Sequence, residues 1–85
     1  MSENRSAVAQ SKQQIEQFVT RWLSEQLGQD VSPEANFGAL GMDSLDAVEL
    51  TDALADLLQV EQVDVSLVLD HPTPARLAEY LSQVG

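Results

Sequence analysis

The chain has 85 residues, enough for one small domain with a single core. Only four Lys and Arg stand against 14 Asp and Glu, giving a net charge of −10 with the one His neutral. Phosphate backbones and anionic membrane surfaces both demand a basic footprint, so neither nucleic acid nor membrane is expected as a partner. A basic patch on another protein is the natural complement. At 44% apolar residues the composition is that of a folded domain rather than a disordered acidic tail. The absence of Cys removes disulfides and cysteine-ligated metal sites. No apolar run approaches the roughly 18 residues of a membrane span, and the first residues lack the order of a secretion signal, so a cytoplasmic location is expected.

Residues 1–10 are polar and read as a flexible N-terminal tail, leaving 11–85 as the domain. From Ser11 onward Ile15, Phe18, Val19, Trp22, Leu23 and Leu27 recur at three- and four-residue spacing. That is one buried face of an amphipathic helix, and Gly28 stands where a left-handed cap ends it. The connection from Gln29 to Asp43 contains Pro33, Gly38 and Gly41, which break a helix, yet also Val31, Phe37, Leu40 and Met42, which are too apolar for a solvated loop. A long loop of this kind is expected to pack over the core and deliver something at its end.

Ser44 to Leu58 predicts the second helix, and Val65 to Leu69 a brief helical turn. His71-Pro72-Thr73-Pro74 then marks a helix start, with Thr73 as cap and Pro74 at the first helical position, where its missing N–H costs nothing. The last helix runs to Gln83 and buries Leu77, Ala78 and Leu81, with Tyr80 at its edge. The fold class is therefore all-α: a small four-helix bundle of three main helices and one short third helix, with a long first loop.

On a helical wheel Ala47, Leu50, Leu54, Leu57 and Leu58 fall together as the core side of the second helix. Asp46, Glu49, Asp52 and Asp56 fall opposite, without an interleaved Lys to relieve their repulsion. A solvated face accounts for acids alone. Leu45 on the acidic side, with Val48 at its border, suggests instead a docking surface with apolar anchors and a charged rim. At the helix start, Asp43 and Ser44 are both favoured capping types, and either one serves. A hydroxyl at this corner is also placed to carry a phosphate ester, because the free N–H groups of a helix start favour negative charge.

The run Gly41-Met42-Asp43-Ser44-Leu45-Asp46-Ala47-Val48-Glu49-Leu50 resembles the prosthetic-group attachment motif of acyl carrier proteins. Ser66-Leu67-Val68-Leu69-Asp70-His71-Pro72-Thr73-Pro74 resembles the closing segment of polyketide-synthase carrier domains, at the family's usual separation. Asp43 rather than His before the Ser points away from the peptidyl carriers of nonribosomal synthetases. The resemblance covers Ile15 to Leu81. It implies that Ser44, next to Asp43, receives 4′-phosphopantetheine from coenzyme A and tethers acyl intermediates as thioesters for polyketide or specialised fatty-acid biosynthesis. Leu45, Asp46, Val48, Glu49, Asp52 and Asp56 would then meet the partner enzymes. The implied partners are a phosphopantetheinyl transferase, an acyl-loading ligase or transferase, and a ketosynthase or other acyl-processing enzyme.

Asp52 departs from the family pattern, since fatty-acid-synthase carriers usually offer an apolar contact there, which points away from housekeeping fatty acid synthesis. A monomer that catalyses nothing itself is expected, either a free-standing protein or an excised domain built the same way. A hydrolase built on Ser44 and His71 would need a Gly-x-Ser-x-Gly turn or a comparable setting, which the sequence lacks. Calcium binding fails on the spacing of the acids near Asp43. The alternative is an unmodified acidic helical interaction module.

Overall fold

The computed structural model describes the backbone of residues 11–84 and the side chains of 11–83, so the predicted tail over 1–10 lies outside the described residues. Four helices follow in order: α1 (Lys12–Leu27), α2 (Ser44–Leu58), α3 (Ser66–Asp70) and α4 (Pro74–Val84), with no strand among the described residues. Ser11 caps α1 in a reciprocal box with Gln14, and Gly28 closes the helix in the left-handed region at φ 69°. Thr73 starts α4 by accepting the Arg76 amide on its hydroxyl (3.1 Å) and the Leu77 amide on its carbonyl (2.9 Å). Pro74 at the first helical position is fully buried. The short helix is displaced one residue from its predicted Val65–Leu69 span. Its start is set by Asp64, whose carboxylate accepts the Ser66 amide at 2.9 Å and is thereby held below the ordinary aspartate pKa of 3.8.

The core is built where α1 packs along α4, with Ile15, Val19 and Leu23 facing Leu77, Ala78 and Leu81, and with Leu50 and Leu54 of α2 closing it. Each fully buried aliphatic side chain contributes about 1.5–3 kcal/mol, so these few side chains dominate the stability. Two expectations need correction. Phe18 and Trp22 are only half-buried: the apolar stripe of α1 spans about half the helix circumference, its centre is sealed, and these two pack against the core from the flank. Leu57 and Leu58 lie on the core side as predicted, packed against the core but partly open at the end of α2, where Gln59 turns left-handed (φ 58°). Thr51 and Val63 are buried although neither was predicted to be; the Thr51 hydroxyl is satisfied by donating to the Val48 carbonyl at 2.8 Å.

The 29–43 connection packs on the core as predicted. Phe37 is its buried anchor, and its amide donates to the Pro72 carbonyl at 2.8 Å. The Ala75 amide in turn donates to the Pro33 carbonyl at 2.9 Å. The loop is thus fastened to the start of α4 at two points. Asn36 turns the chain by accepting the Gly38 and Ala39 amides, and Gly41 at φ 85° takes a conformation that a side chain would strain. What this loop delivers, on a fixed footing, is the start of α2.

Candidate functional site

The capping question at the start of α2 has one answer: Asp43. Its carboxylate accepts the Asp46 amide at 2.9 Å, and the Asp46 carboxylate returns the contact by accepting the Asp43 amide at 3.4 Å. Ser44, the first residue of the helix, is exposed, and its hydroxyl is not spent on the cap. Beside it lies a groove of about 340 Å³ between the 29–43 loop, α2 and α3. Phe37 and Met42 from the loop, Ala47 from α2, and Val65, Val68 and Leu69 around α3 line it, with Ser44 at its edge. An exposed hydroxyl at the rim of an apolar groove offers an attachment point for a group with a mixed polar and apolar character.

The acidic face of α2 is partly as predicted. Leu45 is 63% exposed and Val48 42%, which are large fractions for apolar side chains beside acids. Glu49, Asp52 and Asp56 are exposed with them. Asp46 is placed differently from expectation: it is only half-exposed and turned back into the capping box, because its position on the wheel lies to one side of the other three acids. His71, rejected above as a catalytic base, stacks on Tyr80 with ring centroids 4.6 Å apart and serves as a packing residue.

Leu69 is the feature that the sequence reading missed. At 73% exposure it is the most exposed large apolar side chain among the described residues, and it forms the groove wall on the α3 side. Its neighbour Val68 faces the core, so an amphipathic turn ending on an exposed Leu was legible as a second apolar contact. Ser44 and Leu69 thus line the same groove, and the exposed Leu45 follows Ser44 on α2.

A family model described as a phosphopantetheine attachment site matches residues 17–81. The chain is 41% identical over 61 residues, 72% of its length, to the phenolphthiocerol synthesis polyketide synthase type I Pks15/1 of Mycobacterium bovis. It spans only 3 to 4% of the length of such curated relatives. Among solved structures, BlmI, a type-II acyl-carrier-protein from Streptomyces verticillus involved in bleomycin biosynthesis, superposes with a TM-score of 0.79 at 24% identity, covering 86% of this chain and 88% of that one; this likeness speaks for the fold. A free-standing peptidyl carrier protein from Acinetobacter baumannii gives a TM-score of 0.78 at 26% identity, covering 88% of this chain and 98% of that one.

Proposed function

Since the chain belongs to the phosphopantetheine attachment-site family of carrier domains, we propose that Ser44 is its attachment residue and that the carrier unit occupies residues 11–85. One observation carries the assignment: an exposed serine at the first position of α2, relieved of capping by Asp43, on the rim of an apolar groove. Bound there, 4′-phosphopantetheine supplies the terminal thiol that this Cys-free chain lacks, and acyl groups are carried on it as thioesters.

The chain's own residues hold and present the arm. The first-turn N–H groups of α2 attract the phosphodiester by about 0.3–1 kcal/mol. The Asp43 carboxylate, one residue away, opposes it by a similar amount for exposed charges. With these two effects comparable in size, the start of α2 would hold a phosphodiester only weakly. Phe37, Met42, Val65 and Val68 offer apolar surface to the arm or the beginning of its cargo. The chain catalyses no step itself.

Leu45, Val48, Glu49, Asp52 and Asp56 form the surface that a phosphopantetheinyl transferase, an acyl-loading ligase or transferase and a ketosynthase would meet. The polyketide synthase relatives support polyketide or specialised fatty-acid biosynthesis as the setting. Asp52, exposed on the docking face, weighs against a housekeeping fatty acid synthase. The test is intact mass after incubation with a phosphopantetheinyl transferase and coenzyme A. The wild type should gain one phosphopantetheinyl group, and Ser44→Ala none. A fully loaded Ala variant overturns the assignment, and an unloaded wild type favours the unmodified interaction module.

A further inference from the structure

We infer that Gln26 of α1 is a positioning residue for the acidic face of α2, holding the Glu49 carboxylate in the orientation in which a basic partner meets it. The inference rests on the docking role proposed above. Its observation is separate: the Gln26 side-chain Nε2 donates to Glu49 Oε1 at 2.9 Å, across 23 residues of sequence and between two helices. Among the described residues the structure gives Asp52 and Asp56 no such tie, and Asp46 is turned back to its cap. Glu49 is thus the acid of this face that is steadied from another element. It stands one helical turn after the exposed Leu45, on the same side.

The chemistry of the donor matters. A carboxylate has two oxygens and several lone pairs, so a single amide donor leaves Oε2 and the full negative charge available to a partner. A Lys or Arg at position 26 would hold Glu49 equally well but would cancel the charge that attracts the partner. A glutamate side chain is among the costlier ones to order at an interface. Gln26 orders it before the encounter and keeps its charge.

The experiment loads the full chain with a phosphopantetheinyl transferase and coenzyme A, measuring kcat and KM separately at two salt concentrations. The set comprises wild type, Gln26→Ala, Gln26→Lys, Glu49→Gln and the double variant Gln26→Ala/Glu49→Gln, each with its melting temperature. Gln26→Ala should raise KM about two- to fivefold, the range that exposed pair energies allow, with kcat unchanged. Gln26→Lys should raise KM further and flatten its salt dependence. In the Glu49→Gln background Gln26→Ala should add nothing. If Glu49→Gln weakens loading while Gln26→Ala matches the wild type, the positioning role is overturned and the docking face stands. An equal rise in KM from Gln26→Ala in both backgrounds also overturns it. If Glu49→Gln itself matches the wild type, the docking role of Glu49 falls, and the inference with it.

Discussion

Ser44 and Asp43 are neighbours of similar capping ability, and the sequence leaves their roles interchangeable. Geometry separates them, because a cap must lie just outside the helix with extended backbone, as Asp43 does at φ −103° and ψ −176°. Asp43→Ala should therefore cost about 0.5–2 kcal/mol in denaturant unfolding, whereas Ser44→Ala should be close to neutral. Equal costs would put the cap on the wrong residue. Asp64 gives a second single-residue test, in pH. Its carboxylate accepts the Ser66 amide, so its pKa is lower folded than unfolded. Its contribution to stability is then fully present above the unfolded value of 3.8 and is lost as pH falls through the lower folded value. Asp64→Asn keeps an acceptor oxygen and removes the titration. Acid unfolding of that variant should show a smaller loss of stability below about pH 4 than the wild type; an identical acid profile would show that Asp64 takes no part.

At the scale of elements, the helices were legible where apolar spacing, cap and stop residue agreed, as in α1 from Ser11 to Gly28 and α4 from Thr73 onward. Depth within a face was not. A stripe from Ile15 to Leu27 records which side of α1 is apolar, but only its packing against α4 decides that Ile15, Val19 and Leu23 are sealed while Phe18 and Trp22 remain half-open. The groove beside Ser44 was illegible for a related reason: its walls come from three separate segments that only tertiary packing brings together. Stability measurements should separate the two kinds of position. Leu50→Ala, at a fully buried site, should cost about 2–5 kcal/mol, a large part of the roughly 5–15 kcal/mol available to a domain. Phe18→Ala, on the half-open flank, should cost about 0.5–3 kcal/mol. The fluorescence of Trp22, the single Trp, should be intermediate when folded and shift only modestly on unfolding. A strongly blue-shifted native emission would mean that α1 is rotated further into the core.

Across the whole molecule, the charge that suits docking works against folding. Ten net negative charges repel one another on a small body, and among the described residues the one ion pair is Lys12 with Glu16 at 3.4 Å, an exposed pair of little worth. Glu49, Asp52 and Asp56 concentrate part of this repulsion on one face of α2 with no cation between them. The Debye length shrinks from about 30 Å at 0.01 M salt to about 10 Å at 0.1 M, so most long-range repulsion across the domain is screened over that interval. The melting temperature should therefore rise over it, and each 1 kcal/mol relieved corresponds to about 4–8 °C for a domain of this size. Asp56→Lys, exposed in the last turn of α2, should raise the low-salt melting temperature and reduce the gain that salt brings, because it relieves the repulsion and places a cation at the negative end of the helix. The same variant should slow association with a basic partner enzyme and weaken the salt dependence of its rate, because it removes attraction felt before contact. Stability and docking should thus move in opposite directions in one variant. A melting temperature that is flat or falling between the two salt concentrations would show that self-repulsion does not limit this fold. If Asp56→Lys slowed partner association without changing the low-salt melt, the acidic face would act on partners alone.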